Sequence, residues 1–209
     1  MRLLLVRHGE STWNAEGRIQ GWGDPPLSEK GRRQAEALAR RLSRLAAESA
    51  QPLAALYTSP QQRACETAAI IASALSLRPI PDDRLKECDV GDFTGLTNLE
   101  VQERYPEFHR QWRQGMDRLP IPGEEPIQVF LARIRAAMSE IVAAHEAQAT
   151  LCIVSHGGTF GVYLDELIGL PMTKRSPFYF DNASLTIVAL DKTRHRIMLL
   201  NDTCHLEEI

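Results

Sequence analysis

The strongest constraint on the fold is an apolar run near the start of the chain that stops abruptly at charged residues. Residues 3–6 (Leu-Leu-Leu-Val) lead directly into Arg7, His8 and Gly9. A short apolar run of this kind is typical of a strand buried on both faces, as in a parallel sheet. Ligands of open α/β sheets bind at the carboxyl ends of the strands. The run therefore predicts a strand that brings Arg7 and His8 to a binding site, although such a pair can also simply begin a polar loop.

Helices and strands are predicted to alternate along the rest of the chain. Apolar residues recur at helical spacing over 35–46 and 127–142, whereas 53–57 and 150–154 are further short apolar runs. Elements that alternate in this way are typical of a mostly parallel sheet with helices on both faces. We therefore predict a three-layer α/β/α fold.

The outer strands of the sheet are predicted from prolines and from spacing. Residues 77–80 fit an edge strand, because the prolines at 79 and 81 would remove hydrogen bonds from a central one. Residues 184–190 and 196–200 fit an antiparallel hairpin. The sheet is therefore expected to carry an antiparallel edge strand.

The length of 209 residues suits a single domain spanning 1–209. Its periodic pattern weakens between about 88 and 125, where Thr97–Glu100 has the form of a capping box. We interpret this stretch as a helical insertion that lies over the active site.

Composition excludes several classes of protein. The chain has 24 Lys and Arg against 27 Asp and Glu, a net charge of −3, which argues against nucleic-acid binding. No stretch approaches the roughly 20 apolar residues of a membrane span, and the first apolar run is too short for a secretory signal. Four cysteines without a C-x-x-C pair indicate a reduced, cytoplasmic protein. The oligomeric state stays open, a homodimer included.

Two predicted strands end in a histidine followed by glycine, at His8 and at His156. Neighbouring strands would bring both imidazoles together, and the glycines allow close approach of a ligand. Ser59 and Pro60 are expected to be the N-cap and first residue of a helix that carries Arg63 in its first turn. Arginines suit phosphate oxygens, so these residues favour a local phosphate site.

Four segments, in this order along the chain, resemble those of the histidine phosphatase superfamily, also called the phosphoglycerate mutase-like superfamily. They are Leu5–Glu10 with Trp13 and Asn14; Thr58–Pro60 with Arg63 and Glu66–Ala68; Arg84–Glu87 with Gly91–Gly95; and Ser155–Gly158. The resemblance implies a phosphoglycerate mutase-like fold. It also implies that a phosphoryl group is transferred to a histidine without metal or cofactor.

The resemblance assigns a role to each matching residue. His8 would be the nucleophile, and Glu87 would protonate the leaving alcohol and then activate water, with Glu10 and Asp89 as rivals for that role. Five groups would hold the phosphoryl oxygens: Arg7, Asn14, Arg63, His156 and Gly157. The sequence contains neither an Asp-x-Asp pair after a predicted strand nor a His-x-x-x-His pair, so no metal site is predicted.

Within the superfamily, the compact phosphatases match best, including the metal-independent phosphoserine phosphatase type. Glu87 and His156 are only 69 positions apart, whereas cofactor-dependent phosphoglycerate mutases carry a longer insertion there. We therefore predict hydrolysis of small-molecule phosphomonoesters, with a mutase and a non-catalytic phosphate-binding module as alternatives.

Residues outside the four segments are candidates for contact with the substrate. They are Gln20, Gly21, Trp22 and His205, together with Phe108 and Trp112 in the insertion. Trp22 could equally be a packing residue, whereas a place in a surface loop of the tail is the favoured interpretation of His205.

Overall fold

In the computed structural model, a six-stranded sheet forms the centre of the molecule, with the strands in the order β3-β2-β4-β1-β5-β6. The structure describes residues 1–48, 53–114, 119–171, 176–191, 194–207 and 209, except the side chain of Trp112. The strands are β1 (Arg2–Arg7), β2 (Leu53–Thr58), β3 (Pro79–Pro81), β4 (Thr150–Ser155), β5 (Leu185–Ala189) and β6 (Arg196–Asp202).

The pairing of the strands confirms the predicted sheet. β1 is parallel to β4, β4 to β2 and β2 to β3, whereas β5 is antiparallel to both β1 and β6. The antiparallel edge of the sheet is thus formed by β5 and β6. Proline-bounded β3 lies at the opposite edge, where a missing N–H is tolerated.

Helices cover both faces of the sheet. In chain order the described helices are α1 (Thr12–Ala15), α2 (Glu29–Glu48), α3 (Gln62–Leu75), α4 (Asn98–Arg104), α5 (Pro106–Arg113), α6 (Ile127–Ala143) and α7 (Gly157–Leu167), of which α2, α3, α6 and α7 cover the sheet. In β1, Leu3 and Leu5 pack with α6 and α7 on one face, while Leu4 and Val6 pack with α2 and α3 on the other. This alternation explains why the strand is apolar without interruption.

The capping box predicted at Thr97 is present, and a serine hydroxyl also accepts from the backbone at the start of α2. The Thr97 hydroxyl accepts from the backbone N–H of Glu100 (3.2 Å), and the Glu100 carboxylate accepts from that of Thr97 (2.7 Å). Ser28 likewise accepts from the N–H of Gly31 (3.0 Å). The expectation for α3 was wrong, because its N-cap is Gln61 and the helix begins at Gln62.

The stretch 88–125 contains α4, α5 and a short 3-10 turn, Gly91–Phe93. Its own apolar cluster includes Phe93, Leu96 and Val101, with Phe108 packed against them. This cluster is separate from the two that flank the sheet. Among the helices of the described residues, none has the length and hydropathy needed to cross a bilayer.

Candidate active site

A cavity of about 610 Å³ opens where the carboxyl ends of the central parallel strands meet. Adjacent β1 and β4 are in register with Arg7 opposite Ser155, and the backbone N–H of His8 donates to the Ser155 carbonyl (3.0 Å). The residue that directly follows each strand is a histidine, so the register places the two histidines side by side. The rings of His8 and His156 lie 5.1 Å apart between centroids.

His8 is almost fully buried and held in one tautomer. Its Nδ1 lies 2.7 Å from the carbonyl oxygen of Gly9, which only accepts, so Nδ1 carries the proton. The lone pair is then on Nε2, which accepts from Nε of Arg63 at 3.3 Å. Burial, followed by the charges of Arg63 and Arg7, lowers the pKa of His8 well below its usual value. The ring is therefore neutral and nucleophilic at neutral pH.

Arg63 lies in the first turn of α3, and its side chain points back toward the strand ends. The side chain is fully buried, and its guanidinium donates to the carbonyls of Gly23 (2.7 Å) and Gly21 (3.1 Å). Burial lowers the pKa of Arg63 to about 10, which leaves it protonated at neutral pH. The site thus contains a fixed cation that contacts His8 directly.

Two buried nitrogens beside His8 have no hydrogen-bond partner within the described residues: Nε of Arg7 and Nδ1 of His156. Nε2 of His156 lies 2.8 Å from the Ser59 hydroxyl, which already accepts from the N–H of Gln61 (3.3 Å). In the tautomer in which the hydroxyl donates its proton to Nε2, Nδ1 carries the proton of the neutral ring and is the unpaired donor. Burial, reinforced by nearby positive charge, lowers the pKa of His156 and keeps the ring neutral. An oxyanion would satisfy both unpaired donors.

Glu87 brings a carboxylate to the same cavity. Its Oε1 accepts from the N–H of Cys88 (2.8 Å) and its Oε2 from the N–H of Gly158 (3.0 Å), at the N-terminus of α7. The backbone N–H of Glu87 donates to the side chain of Gln61 (2.8 Å). A Cβ on Gly158 would lie 2.3 Å from Oε1, so glycine is needed there to admit the carboxylate.

The rival carboxylates lie elsewhere. Glu10 accepts from the Ser28 hydroxyl (2.8 Å) and pairs with Lys30 (3.1 Å). Asp89 accepts from the backbone N–H of Gly91 (3.0 Å). Neither lines the cavity, so Glu87 is the candidate acid that the structure brings to it.

Asn14, Gln20 and Gly21 line the cavity, as does Gly157. The Asn14 side-chain oxygen accepts from the backbone N–H of Ser11 (3.1 Å) and from the Asn182 amide (3.1 Å). These donors orient the Asn14 side chain and leave its NH2 group for a ligand.

Phe108 also lines the cavity, whereas the side chain of Trp112 lies outside the described residues. Residues 88–125 thus contribute directly to the cavity wall through Phe108.

The structure places two of the candidate substrate contacts outside the cavity wall. Trp22 is 50% exposed and outside the cavity wall, and its indole N–H donates to the Glu87 carbonyl (2.9 Å). Nε2 of His205 bonds to the carbonyl of Ala183 (3.0 Å), and Nδ1 contacts Arg41 (3.1 Å). The 3-10 turn Cys204–Leu206 packs against α2, and His205 does not line the cavity.

Sequence reasoning missed four residues of the site. Ser59 is predicted only to cap a helix and Gln61 is given no role, yet Ser59 binds His156 and Gln61 accepts from the backbone of Glu87. Asn182 donates to the carbonyl of His8 (3.2 Å), and Gly158 makes room for the acid. The signal for Ser59 and Gln61 was their place directly after a buried strand.

Comparison with known proteins gives a consistent result. A sequence model described as histidine phosphatase superfamily (branch 1) matches residues 3–203. Phosphoserine phosphatase 1 of Hydrogenobacter thermophilus is 38% identical over 208 residues, which cover 100% of this chain and 95% of that protein.

Two further proteins show the range of the similarity. A 2,3-bisphosphoglycerate-dependent phosphoglycerate mutase 2 of Gloeobacter violaceus is 35% identical over 169 residues, covering 79% of this chain and 74% of that protein. The structure of a mycobacterial glucosyl-3-phosphoglycerate phosphatase with VO3 has a TM-score of 0.83 at 29% identity. The likeness covers 96% of this chain and 98% of that one.

Proposed function

The chain belongs to the histidine phosphatase superfamily, and from that premise we propose that it hydrolyses phosphomonoesters of small metabolites through a phosphohistidine on His8. The observation that carries the proposal is the state of His8. Its Nδ1 proton is fixed by the Gly9 carbonyl, and its Nε2 lone pair lies beside buried Arg63. A histidine held in this state is ready to attack phosphorus.

The phosphoryl group would bind in the cluster of donors around His8. Arg7, Arg63, His156 and Asn14 would donate to its oxygens, as would the backbone N–H of Gly157 at the start of α7. Hydrogen bonds to charged groups contribute about 1.5–3 kcal/mol each. Positioning and electrostatics of this kind supply most of the catalysis of phosphoryl transfer.

The reaction would proceed in two displacements. The Nε2 lone pair of His8 forms a bond to phosphorus while the ester P–O bond breaks, and protonated Glu87 gives its proton to the leaving alcohol. Water then attacks the phosphohistidine, and the Glu87 carboxylate takes the proton that water loses. The P–N bond breaks and returns its electron pair to His8, and inorganic phosphate leaves. No step uses a metal.

The test is release of phosphate from phenyl phosphate in the presence of EDTA. We expect turnover by the native chain and a loss of at least ~10⁴-fold in His8→Ala, the scale typical when a covalent nucleophile is removed. His145→Ala is the matched control, because His145 bonds to Tyr57 (2.9 Å) and does not line the cavity. Full activity in His8→Ala would overturn the proposal.

The covalent intermediate has its own signature. A Glu87→Gln variant should accumulate a phosphoenzyme that is labile in acid and stable in alkali, because its hydrolysis lacks a base. An acid-stable phosphoester would rule out His8 as the carrier.

The mutase is the less favoured alternative, since the chain lacks the longer insertion between Glu87 and His156. Incubation with 3-phosphoglycerate and a bisphosphoglycerate primer separates the two activities. Isomerisation faster than hydrolysis would establish a mutase. Phosphate binding without any turnover would establish the non-catalytic module.

We also propose that the protein acts in the cytoplasm on small molecules. The four cysteines, all among the described residues, form no disulfide, which suits a reducing compartment. Cell fractionation tests the compartment. The sedimentation coefficient of the purified chain distinguishes a monomer from a homodimer.

A further inference from the structure

The cavity continues far beyond the groups that face the phosphoryl site. Gly158, Gly161, Val162 and Asp165 all line it, and their spacing places them on one face of α7. With a rise of 1.5 Å per residue, the stretch from Gly158 to Asp165 is about 10 Å long. We call the region around His8, Arg63, Glu87 and Gly158 the near end of the cavity, and the region around Asp165 and Ser176 the far end.

The wall that faces α7 is mostly apolar. Its side chains come from the stretch 88–125 and from the segment before β5, and they include Val90, Phe93, Phe108, Ile121 and Phe178. Arg18 also lines the cavity, but its guanidinium is already bound to Glu16 (2.8 Å) and Glu100 (3.2 Å). A carboxylate on a ligand would therefore meet no uncommitted cation among the described residues of this wall.

Asp165 is the polar group at the far end. It is only 4% exposed, and its Oδ1 accepts from the Ser176 hydroxyl (3.0 Å). Within the described chain, no other side chain donates to this carboxylate, which has about four lone-pair positions. Burial raises the pKa of Asp165, because a buried carboxylate is costly to charge, and the ion pairs among the described residues do not include Asp165. An ammonium group delivered by a ligand would remove that cost.

We infer that the leaving alcohol of the substrate has an apolar body and ends in an ammonium or similar N–H donor that binds Asp165. This inference rests on the phosphatase activity proposed above and specifies its substrate class. The near end takes the phosphoryl group, the apolar wall takes an aryl or branched alkyl body, and the far end takes the cation. In phosphoserine the ammonium and carboxylate lie two carbons from the ester oxygen, too close to reach Asp165. Phosphoserine and phosphoglycerate should therefore be poor substrates.

Three aryl phosphates that differ only in the group opposite the phosphate test the inference. The para substituents are 2-aminoethyl, ethyl and 2-carboxyethyl, and unsubstituted phenyl phosphate reports the basal activity. We expect kcat/KM to be about tenfold higher for the amine than for the ethyl compound, and about tenfold lower for the carboxylate.

The probes keep the two proposals distinguishable. If phenyl phosphate and all three probes fail, the proposed phosphatase activity is wrong. If phenyl phosphate is hydrolysed but the amine is no better than the ethyl compound, only the substrate class is overturned. A preference for the carboxylate or for phosphoserine would overturn it as well.

A pair of variants assigns the preference to the far end. In Asp165→Asn, the ratio of kcat/KM between the amine and ethyl probes should fall from about ten to about one. Glu166→Gln is the matched control, because Glu166 is the next residue of α7 and pairs with Arg135 at the surface. Its ratio should stay near ten, and an unchanged ratio in Asp165→Asn would contradict the inference.

A measurement on the native chain covers the case in which Asp165→Asn fails to fold. The product alcohols tyramine and 4-ethylphenol should both compete with phenyl phosphate, with an inhibition constant about tenfold lower for tyramine. Equal inhibition by the two alcohols would overturn the role of Asp165.

Discussion

The two ends of the cavity differ in how tightly their side chains are held. At the near end, Arg63 donates to two carbonyls and to His8, and Glu87 accepts from two backbone N–H groups. At the far end, Asp165 has a single side-chain partner, Ser176, and the wall beside it is apolar. The near end is therefore preorganised for one charged group, whereas the far end selects by apolar contact and one carboxylate.

This difference predicts two kinds of kinetic response. Groups that act on the phosphoryl transition state should change kcat/KM for every substrate, because every substrate contains that group. Contacts with the leaving group should change KM, or the ratio of kcat/KM between two substrates. Such contacts are equally strong in the ground state and in the transition state, so they leave kcat unchanged. Each variant below alters either the near end of the cavity or its apolar wall.

After His8→Ala, Arg63→Ala should have the largest effect, a loss of about 10³-fold in kcat/KM for phenyl phosphate, or about 4 kcal/mol. It removes charge-assisted donors from the phosphoryl site, together with the two hydrogen bonds that hold the guanidinium on the carbonyls of Gly21 and Gly23. Arg63→Lys keeps the charge without the forked donors and should recover at most about tenfold. Steady-state kinetics measures both; a loss under about tenfold in Arg63→Ala would show that the near end is not preorganised by this residue.

Gly158→Ala should displace Glu87 and lower kcat for phenyl phosphate about 10²-fold, or about 2.7 kcal/mol. The loss should be smaller for 2,4-dinitrophenyl phosphate, whose leaving group needs no proton. Glu166→Ala on the same helix is the control, because Glu166 pairs with Arg135 and does not line the cavity. Equal losses in the two variants, or no dependence on the leaving group, would remove the role assigned to Glu87.

The buried histidines of the near end should make stability depend on pH. The pKa values of His8 and His156 are lowered in the folded chain, whereas an unfolded histidine titrates near 6.5. Below pH 6.5 the unfolded chain binds protons that the folded chain refuses. The free energy of unfolding should therefore fall as the pH falls from about 6.5 toward the lowered values, by up to about 1.4 kcal/mol per unit and histidine. Their contribution is constant above pH 6.5.

Urea denaturation at pH 7.5 and 5.5 measures this dependence. His8→Gln should show a shallower decrease than the native chain, since one of the two groups is gone. The same decrease in both chains would contradict the titration assigned to His8.

Phe108→Ala should have the smallest effect, and only on the apolar wall. The Phe108 ring packs edge-on against Phe93 with centroids 4.7 Å apart, so its loss opens the wall without touching the near end. We expect KM for aryl phosphates to rise about fivefold, or about 1 kcal/mol, with kcat unchanged. Leu99→Ala, at a residue 63% exposed on α4, is the control. A fall in kcat would show that the wall also positions the reacting groups.

Much of the near end could be predicted from local sequence. His8 and His156 each follow a buried strand, and parallel neighbours end at the same edge of a sheet. Glu87 follows no such strand, and its role came from the resemblance to a family alone. The structure brings Glu87 to the cavity through backbone N–H groups that no sequence pattern displays. His205 and Trp22 were candidates for contact with the substrate by sequence. In the structure they bind the backbone carbonyls of Ala183 and Glu87, and neither side chain lines the cavity.

The amino-acid sequence by itself determines the order of the elements, the apolar strands and the residues at their carboxyl ends. These properties depend on the period of side chains along a strand or helix, which is local. Only the tertiary structure decides that Ser59 binds His156, that Gly158 admits the carboxylate of Glu87, and that Ser176 lies against Asp165. Those contacts join residues far apart in the chain, so they depend on how whole elements pack. The strand at the start of the chain places His8, and its partners are supplied by the packing of the other segments.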